Sequence, residues 1–366
     1  MLKRAINFAI SAAVAAAFAS VGASELRAAD PVIDPGLRGK AQDAVNEGLH
    51  YLRAVQKENG SWSNSVGITA LVVRAFLESY RGYGESDGPF ITRPIAYLLS
   101  NVRDDGSISE TNRNSAYNTA TAMFALAATN NAKYKDVIAA AQRFLSAHQI
   151  DEGEGYDRSH RYYGGIGYGG DERPDLSNQY LALEGLRASA LDPKDPVWER
   201  AIVFLARCQN RSESNDQPWA ANDGGFTYMP GWSPHGGTGS YGGMTHAGLI
   251  SLLFAGVDKQ DPRIQSAWKW IAANYDLEEN PGVSGRHGLF YYYEAFAKTM
   301  FAMGKPVIKD GSGADRNWRN DLVAKLVSMQ AQDGSWVNPY SSQWWENLKE
   351  LITARGVIAL NLALRK

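Results

Sequence analysis

Apolar residues recur along this chain in two kinds of block that alternate. One kind mixes apolar and charged positions at helical spacing, as in Ala44 to Gln56, Ile91–Asn101, Val137–Gln149, Pro196–Gln209, Asp261–Tyr275 and Asp321 to Gln330. The other is apolar nearly all round and rich in small residues, as in Val66 to Leu77, Ala116–Ala128, Leu176–Ala188, Thr245–Ala255, Leu289–Met303 and Leu348 to Leu364. A helix apolar on every side is buried on every side, so the pattern predicts an outer layer of amphipathic helices around an inner layer. The two kinds repeat as pairs at intervals of roughly 50–65 residues, joined by Gly-rich loops, which is the mark of a repeat architecture. A linear stack needs polar caps at its ends. Here the terminal units carry the strongest copies of the pattern, so the pairs are expected to close into a ring. Strand signals are scarce.

Those copies are Gln56-Lys57-Glu58-Asn59-Gly60-Ser61-Trp62 and Gln330-Ala331-Gln332-Asp333-Gly334-Ser335-Trp336, both of the form Gln-x-x-x-Gly-Ser-Trp. Degenerate copies follow Gln209 (Gly224-Gly225-Phe226) and Gln149 (Gly153). A Gln can satisfy orphan groups at a helix end while the Trp packs between helices. The strings resemble the QW motif of squalene–hopene cyclases, oxidosqualene cyclases and protein prenyltransferase β subunits. That resemblance covers nearly the whole chain after its first residues. It implies an all-α fold, an (α/α)6 toroid with a central cavity open at one mouth, occupied in those families by isoprenoid chains against aromatic side chains. The chain has room for one toroid. It departs from both activities of these families: it lacks the cyclases' Asp-x-Asp-Asp string, and its lone Cys208 lies late on an outer helix, where the prenyltransferase zinc site has no counterpart.

The N-terminus adds a destination. A basic start (Lys3, Arg4), an apolar run from Ala5 to Ala19 and small residues at Val21-Gly22-Ala23 read as a secretory signal. Cleavage is expected after Ala23, or less regularly after Ala29, leaving a short linker (24–31) and one domain over 32–366. A retained anchor is the alternative. The exported protein would be periplasmic or secreted, with no transmembrane segment in the mature chain. Loss of Lys3 and Arg4 takes the formal charge from −2 to −4. With no basic block, nucleic acid is not an expected partner. One cysteine allows no intrachain disulfide. No metal-ligand string and no cofactor fingerprint occurs, so neither is expected.

Inner-helix starts converge on the mouth of such a ring, and candidate chemistry is sought there. Gly169-Gly170-Asp171-Glu172-Arg173-Pro174-Asp175 brings three carboxylates to the start of the third inner helix. Crowding would raise their pKa and make Asp171, Glu172 or Asp175 a general acid; equally, Asp175 is a helix N-cap and Arg173 a neutralising neighbour. His246 opens the fourth inner helix as acid, base or packing residue. Tyr117, Asn178, Gln179, Tyr241, Tyr291, Tyr292, Glu294 and Arg355 are candidate ligand contacts, with Trp232 on a long Gly-rich loop that could lid the mouth. The expected ligand is elongated and apolar, isoprenoid-like, handled by acid–base chemistry. A polysaccharide lyase or glycosidase acting on carbohydrate, or a non-catalytic protein-binding scaffold, are the other readings.

Overall fold

A computed structural model describes residues 33–169 and 173–365. Asp171 and Glu172 lie outside them, as do the signal, its cleavage sites and the 24–31 linker. The described residues form twelve α-helices: α1 (Pro35–Ala54), α2 (Val66–Leu77), α3 (Pro89–Ser100), α4 (Ser115–Ala128), α5 (Lys135–Ala147), α6 (Leu176–Ala188), α7 (Pro196–Cys208), α8 (Gly242–Phe254), α9 (Pro262–Ala273), α10 (Leu289–Met303), α11 (Trp318–Met329) and α12 (Lys349–Leu364). A short antiparallel hairpin, β1 (Val307–Lys309) and β2 (Asp315–Asn317), precedes α11.

Outer and inner helices alternate as the patterning predicts. In α5 only Ala141, Phe144 and Leu145 are buried, one face of an amphipathic helix. In α8 every residue from Gly242 to Leu252 is buried. The even-numbered helices pack in the order α2, α4, α6, α8, α10 and α12, and α12 packs back on α2, so the inner ring is closed. Outer α11 packs on α1 to complete the second layer. This is an (α/α)6 toroid. Helix starts are set by local chemistry: Asp34, Asp195 and Asp261 each accept a backbone N–H at the head of a helix that begins with Pro. The first helix therefore starts at Pro35, nine residues before its amphipathic pattern becomes legible at Ala44.

One joint is built repeatedly. Gln56, Gln149, Gln209 and Gln330 follow outer helices, and each Nε2 donates to two carbonyls. One belongs to a loop glycine (Gly60, Gly164, Gly224 or Gly334), the other to the next outer helix (Phe90, Val197, Arg263 or Ala44). For Gln149 the partner is Gly164, not the expected Gly153, because a turn-rich insertion separates the two. These glycines sit at φ of +81 to +86°. At Gly164 a Cβ would lie 1.9 Å from the Arg200 carbonyl oxygen. Two residues on, Trp62, Ile166, Phe226 and Trp336 donate their N–H groups into the ring, to Thr69, Gln179, Thr245 and Thr353 side chains. Both tryptophans are fully buried and donate Nε1 to outer-helix carbonyls, Leu52 and Leu326.

The centre departs from the expected hollow hub. Helices α2, α6 and α10 are alternate members of the inner ring, so contacts among them cross its middle. Arg74 of α2 pairs with Glu184 of α6 at 3.1 Å, and Glu184 pairs with Lys298 of α10 at 2.7 Å. The lower hub is therefore filled. Long side chains with opposite charges reach across it and neutralise one another.

Candidate functional site

The filled layer is the floor of the site. Lys298 also donates to Glu294 at 2.6 Å and to the Tyr180 hydroxyl at 2.7 Å. Glu294 pairs with Arg355 of α12, and Arg74 also holds Glu78 at 2.8 Å. The Arg74 guanidinium lies 3.5 Å from the centre of the Phe124 ring. Three cations (Arg74, Lys298, Arg355) thus face three carboxylates (Glu78, Glu184, Glu294), all of them buried except Glu78, which is partly so. Burial raises the Glu294 carboxyl's pKa, but Lys298, Arg355 and Arg74 overcome this and hold it down to about 2. A layer of this kind is tolerated because every member is paired.

Above the floor lies the mouth, reached through the first turns of the inner helices. On α10, Tyr291, Glu294 and Lys298 follow one face downward; on α6, Ser177, Tyr180 and Glu184 do the same. Tyr291 stands edge-on to Tyr180, with the Arg355 guanidinium carbon 5.1 Å from its ring centre. Its buried hydroxyl has no hydrogen-bond partner. Asp175 caps α6: its two oxygens accept the Asn178 backbone N–H at 2.9 Å and the Asn178 side-chain amide at 2.6 Å. Burial pushes the Asp175 carboxyl up to about 6 against the pull of these bonds and of Tyr228. Its charge is felt by Tyr168, Tyr228, Tyr241 and Tyr291, which surround it. Asn178 Oδ1 and His235 Nε2 are buried without partners. The mouth therefore holds three orphan polar atoms over a charged floor, and buried polar atoms of this kind ordinarily find partners.

Its rim is aromatic. Tyr168, Trp232, Tyr340, Trp344 and Trp345 are all more than a third exposed. Tyr168 lies beside Tyr117, Trp232 meets Tyr228 edge-on, and Trp344 meets His235 and His287 edge-on. Trp344 and Trp345 have φ of +57 and +60°. Two bulky residues in the left-handed region are strained, and such strain clusters at functional sites.

Of the residues singled out in the sequence, Tyr117, Asp175, Asn178, Tyr241, Tyr291, Glu294 and Arg355 come together at the mouth or its floor. Trp232 stands on the rim. Three others face elsewhere. His246 is buried against Tyr292 and Phe296, and burial pushes its imidazole down to about 3, leaving it neutral. Tyr292 turns the same way and donates to the Asp276 carbonyl. Gln179 is occupied by the loop, accepting from Ile166 N–H and donating to the Gly164 carbonyl. Cys208 is buried on α7, and burial raises its thiol's pKa well above the usual range. Among the described residues no group of three His, Cys, Asp or Glu side chains could hold a metal ion, and no helix is long and apolar enough to cross a membrane.

Arg74, Glu184 and Lys298 are the residues the motif search passed over. Each is a charge set between apolar or small neighbours within an inner helix (Val-Arg-Ala, Leu-Glu-Gly, Ala-Lys-Thr), alone on α2 and accompanied by Arg187 on α6 and Glu294 on α10, and a charge that must be buried needs a buried partner. That was the available signal.

Type II terpene cyclase MstE from Scytonema, in a variant complexed with geranylgeranyl dihydroxybenzoate, superposes with a TM-score of 0.57 at 14% identity, over 90% of this chain and 98% of that one. The GH76A α-1,6-mannanase of Salegentibacter, in an inactive variant with α-1,6-mannotriose, gives 0.57 at 13% identity, over 88% and 99%. A protein from Actinoplanes gives 0.55 at 17%, over 88% and 99%. The likeness is one of fold. No family model and no curated protein matches the sequence.

Proposed function

We propose that this chain binds an elongated, isoprenoid-like amphiphile head-first in the mouth of the toroid and transforms it by acid–base chemistry at Asp175. The observation that carries this is the polarity gradient. Tyr291, Asn178, Ser177 and Arg355 offer hydrogen bonds and a cation at the floor, while the rim offers bare aromatic surface. A polar head satisfies the first and an apolar chain covers the second. The salt-bridged layer stops the ligand at the level of Arg355. Asp175, with a pKa near neutrality and aromatic rings on several sides, can hold or release a proton at its carboxyl oxygen near pH 6. Asp171 and Glu172, four and three residues before it, are proposed as further acid–base groups.

The neighbour that binds geranylgeranyl dihydroxybenzoate supports the ligand class, as do the two Gln-x-x-x-Gly-Ser-Trp strings, read as squalene-cyclase-like QW repeats. A second reading is a glycosidase-like activity on carbohydrate. The orphan polar atoms suit hydroxyl groups, exposed tryptophans suit sugar rings, and the mannanase shares the fold. Such an enzyme needs two carboxyl groups flanking the bond, so Asp171 or Glu172 would join Asp175. In either case export is part of the proposal, resting on residues 1–23, and N-terminal sequencing of secreted protein checks it.

The test is incubation of purified protein with a geranylgeranylated hydroxybenzoate and, separately, with α-1,6-mannotriose, with products read by mass spectrometry. Conversion of the prenylated compound by the wild type and its loss in Asp175→Asn support the reading. Conversion of the sugar alone moves the assignment to the second reading. Equal conversion by wild type and variant removes Asp175 from the chemistry.

A further inference from the structure

A second cavity lies in the outer wall, away from the hub. It measures about 230 Å³ and is lined by Asn46, Leu49, His50 and Arg53 of α1, Phe76 at the end of α2, Arg81 and Tyr83 of the connection, and Phe90 of α3. Its floor is apolar: Leu49, Phe76 and Phe90 are buried, and Phe76, Tyr83 and Phe90 form a mutually edge-on cluster with ring centres 5.4 to 5.8 Å apart. Its edge is basic. The Arg53 guanidinium sits 4.3 Å from the centre of the Phe90 ring, and Arg81 lies beside the Tyr80 and Tyr83 hydroxyls. His50 completes the edge, and no carboxylate lines the cavity.

Two features make this more than a surface crease. Acidic side chains nearly balance basic ones over the whole chain, 39 against 37, yet this lining carries two arginines and a histidine with no acid. The ion pairs formed by neighbouring residues are directed elsewhere: Arg74 and Arg365 take Glu78, and Lys133 takes Glu85. The aromatic cluster, in turn, borders the same space as the cations, so one occupant can meet both.

We propose that this cavity is a binding site for a small aromatic carboxylate. The ring would lie on Phe76, Tyr83 and Phe90, and the carboxylate would take paired N–H donors from Arg53 and Arg81 with His50 as a further donor. The volume admits one substituted benzene ring and no long chain. This site is distinct from the mouth: its lining side chains make no hydrogen bond, ion pair or ring contact with Asp175 or with the charged side chains of the floor, so its failure leaves the acid–base reading where it stands.

The experiment is a calorimetric titration of the full chain with benzoate, benzyl alcohol and inorganic phosphate, repeated on an Arg53→Gln/Arg81→Gln variant. Benzoate is expected to bind at one site, at least tenfold tighter than benzyl alcohol or phosphate. The double variant should lose tenfold or more of that affinity while keeping its unfolding temperature. Asp175→Asn should bind benzoate like the wild type. No benzoate binding, equal binding of benzoate and benzyl alcohol, equal binding of benzoate and phosphate, or wild-type affinity in the double variant would each overturn the proposal. Leu49→Trp, which fills the floor without touching a charge, separates the cavity from a diffuse basic surface: retained binding there also counts against it.

Discussion

Replacing Lys298 by Met tests whether the charged layer is a fitted unit. Met keeps most of the volume and removes the charge. The wild-type ammonium contacts Glu184 at 2.7 Å, Glu294 at 2.6 Å and the Tyr180 hydroxyl at 2.7 Å. Without it, two cations face three carboxylates in a layer almost closed to water. Breaking one partner out of a buried ion pair costs about 3–5 kcal/mol, because the charge left behind has lost its compensation. For a chain of this length the unfolding entropy is roughly 0.7 kcal/mol per kelvin, so a loss of about 4 kcal/mol lowers the melting temperature by about 6 °C. Calorimetry at pH 7 measures it. The deficit should shrink as the pH falls and one carboxylate takes up a proton. Adding Glu184→Gln to Lys298→Met restores neutrality, so the double variant should be less destabilised than the two single losses added together. A loss below about 1 kcal/mol for Lys298→Met, or strict additivity in the double variant, would refute the claim that these charges are held together away from water.

Other consequences are as concrete. Asp175→Asn keeps the helix cap, since Asn serves as well as Asp there, and it removes a carboxylate that burial disfavours. Because the folded pKa is raised from 3.8 to about 6, the penalty is absent below about pH 4, grows as pH rises to 6, and is constant above. Urea denaturation should find the variant more stable than wild type at pH 8, by at most about 3 kcal/mol, and no different at pH 4. Glu294 runs the other way: held down to about 2, it contributes stability that is lost as pH falls from about 5 toward 2. Gly164→Ala places a methyl 1.9 Å from the Arg200 carbonyl oxygen at φ of +82°, and circular dichroism should show a protein that fails to fold or melts far lower. Gln209→Ala strands the Gly224 and Arg263 carbonyls and should cost about 1–3 kcal/mol in the same denaturation assay.

The ring itself was legible because burial writes itself into composition. Helices α2, α6 and α10 begin and end where their apolar runs do, as all-round apolar helices must. The outer helices were blurred by a residue or several at their ends, where caps such as Asp34 and not periodicity set the boundary. The loop signature was read in two strong copies, but its third participant was missed. Thr69, Thr245 and Thr353 look like unremarkable helix residues until the loop N–H groups they accept are seen. At the site, sequence reasoning singled out Asp175, Tyr291, Glu294 and Arg355 from the first two turns of inner helices, and the structure places all four at the mouth or its floor. It misjudged His246 and Tyr292 because adjacent helical positions diverge by about 100°, and a pattern of types does not say which one faces the hub. It passed over Arg74, Glu184 and Lys298 because they lie mid-helix, where attention to the mouth does not reach. Their placement across the ring depends on closure, which no local window contains.

The most direct measurement is a crystal structure of the protein soaked with a geranylgeranylated hydroxybenzoate. The account predicts density for the polar head beside Arg355, Tyr291 and Asn178, the chain against Tyr168, Trp232 and Trp344, and nothing below the Glu184–Lys298 pair. Density for the chain within the lower hub, with that pair parted, would contradict it.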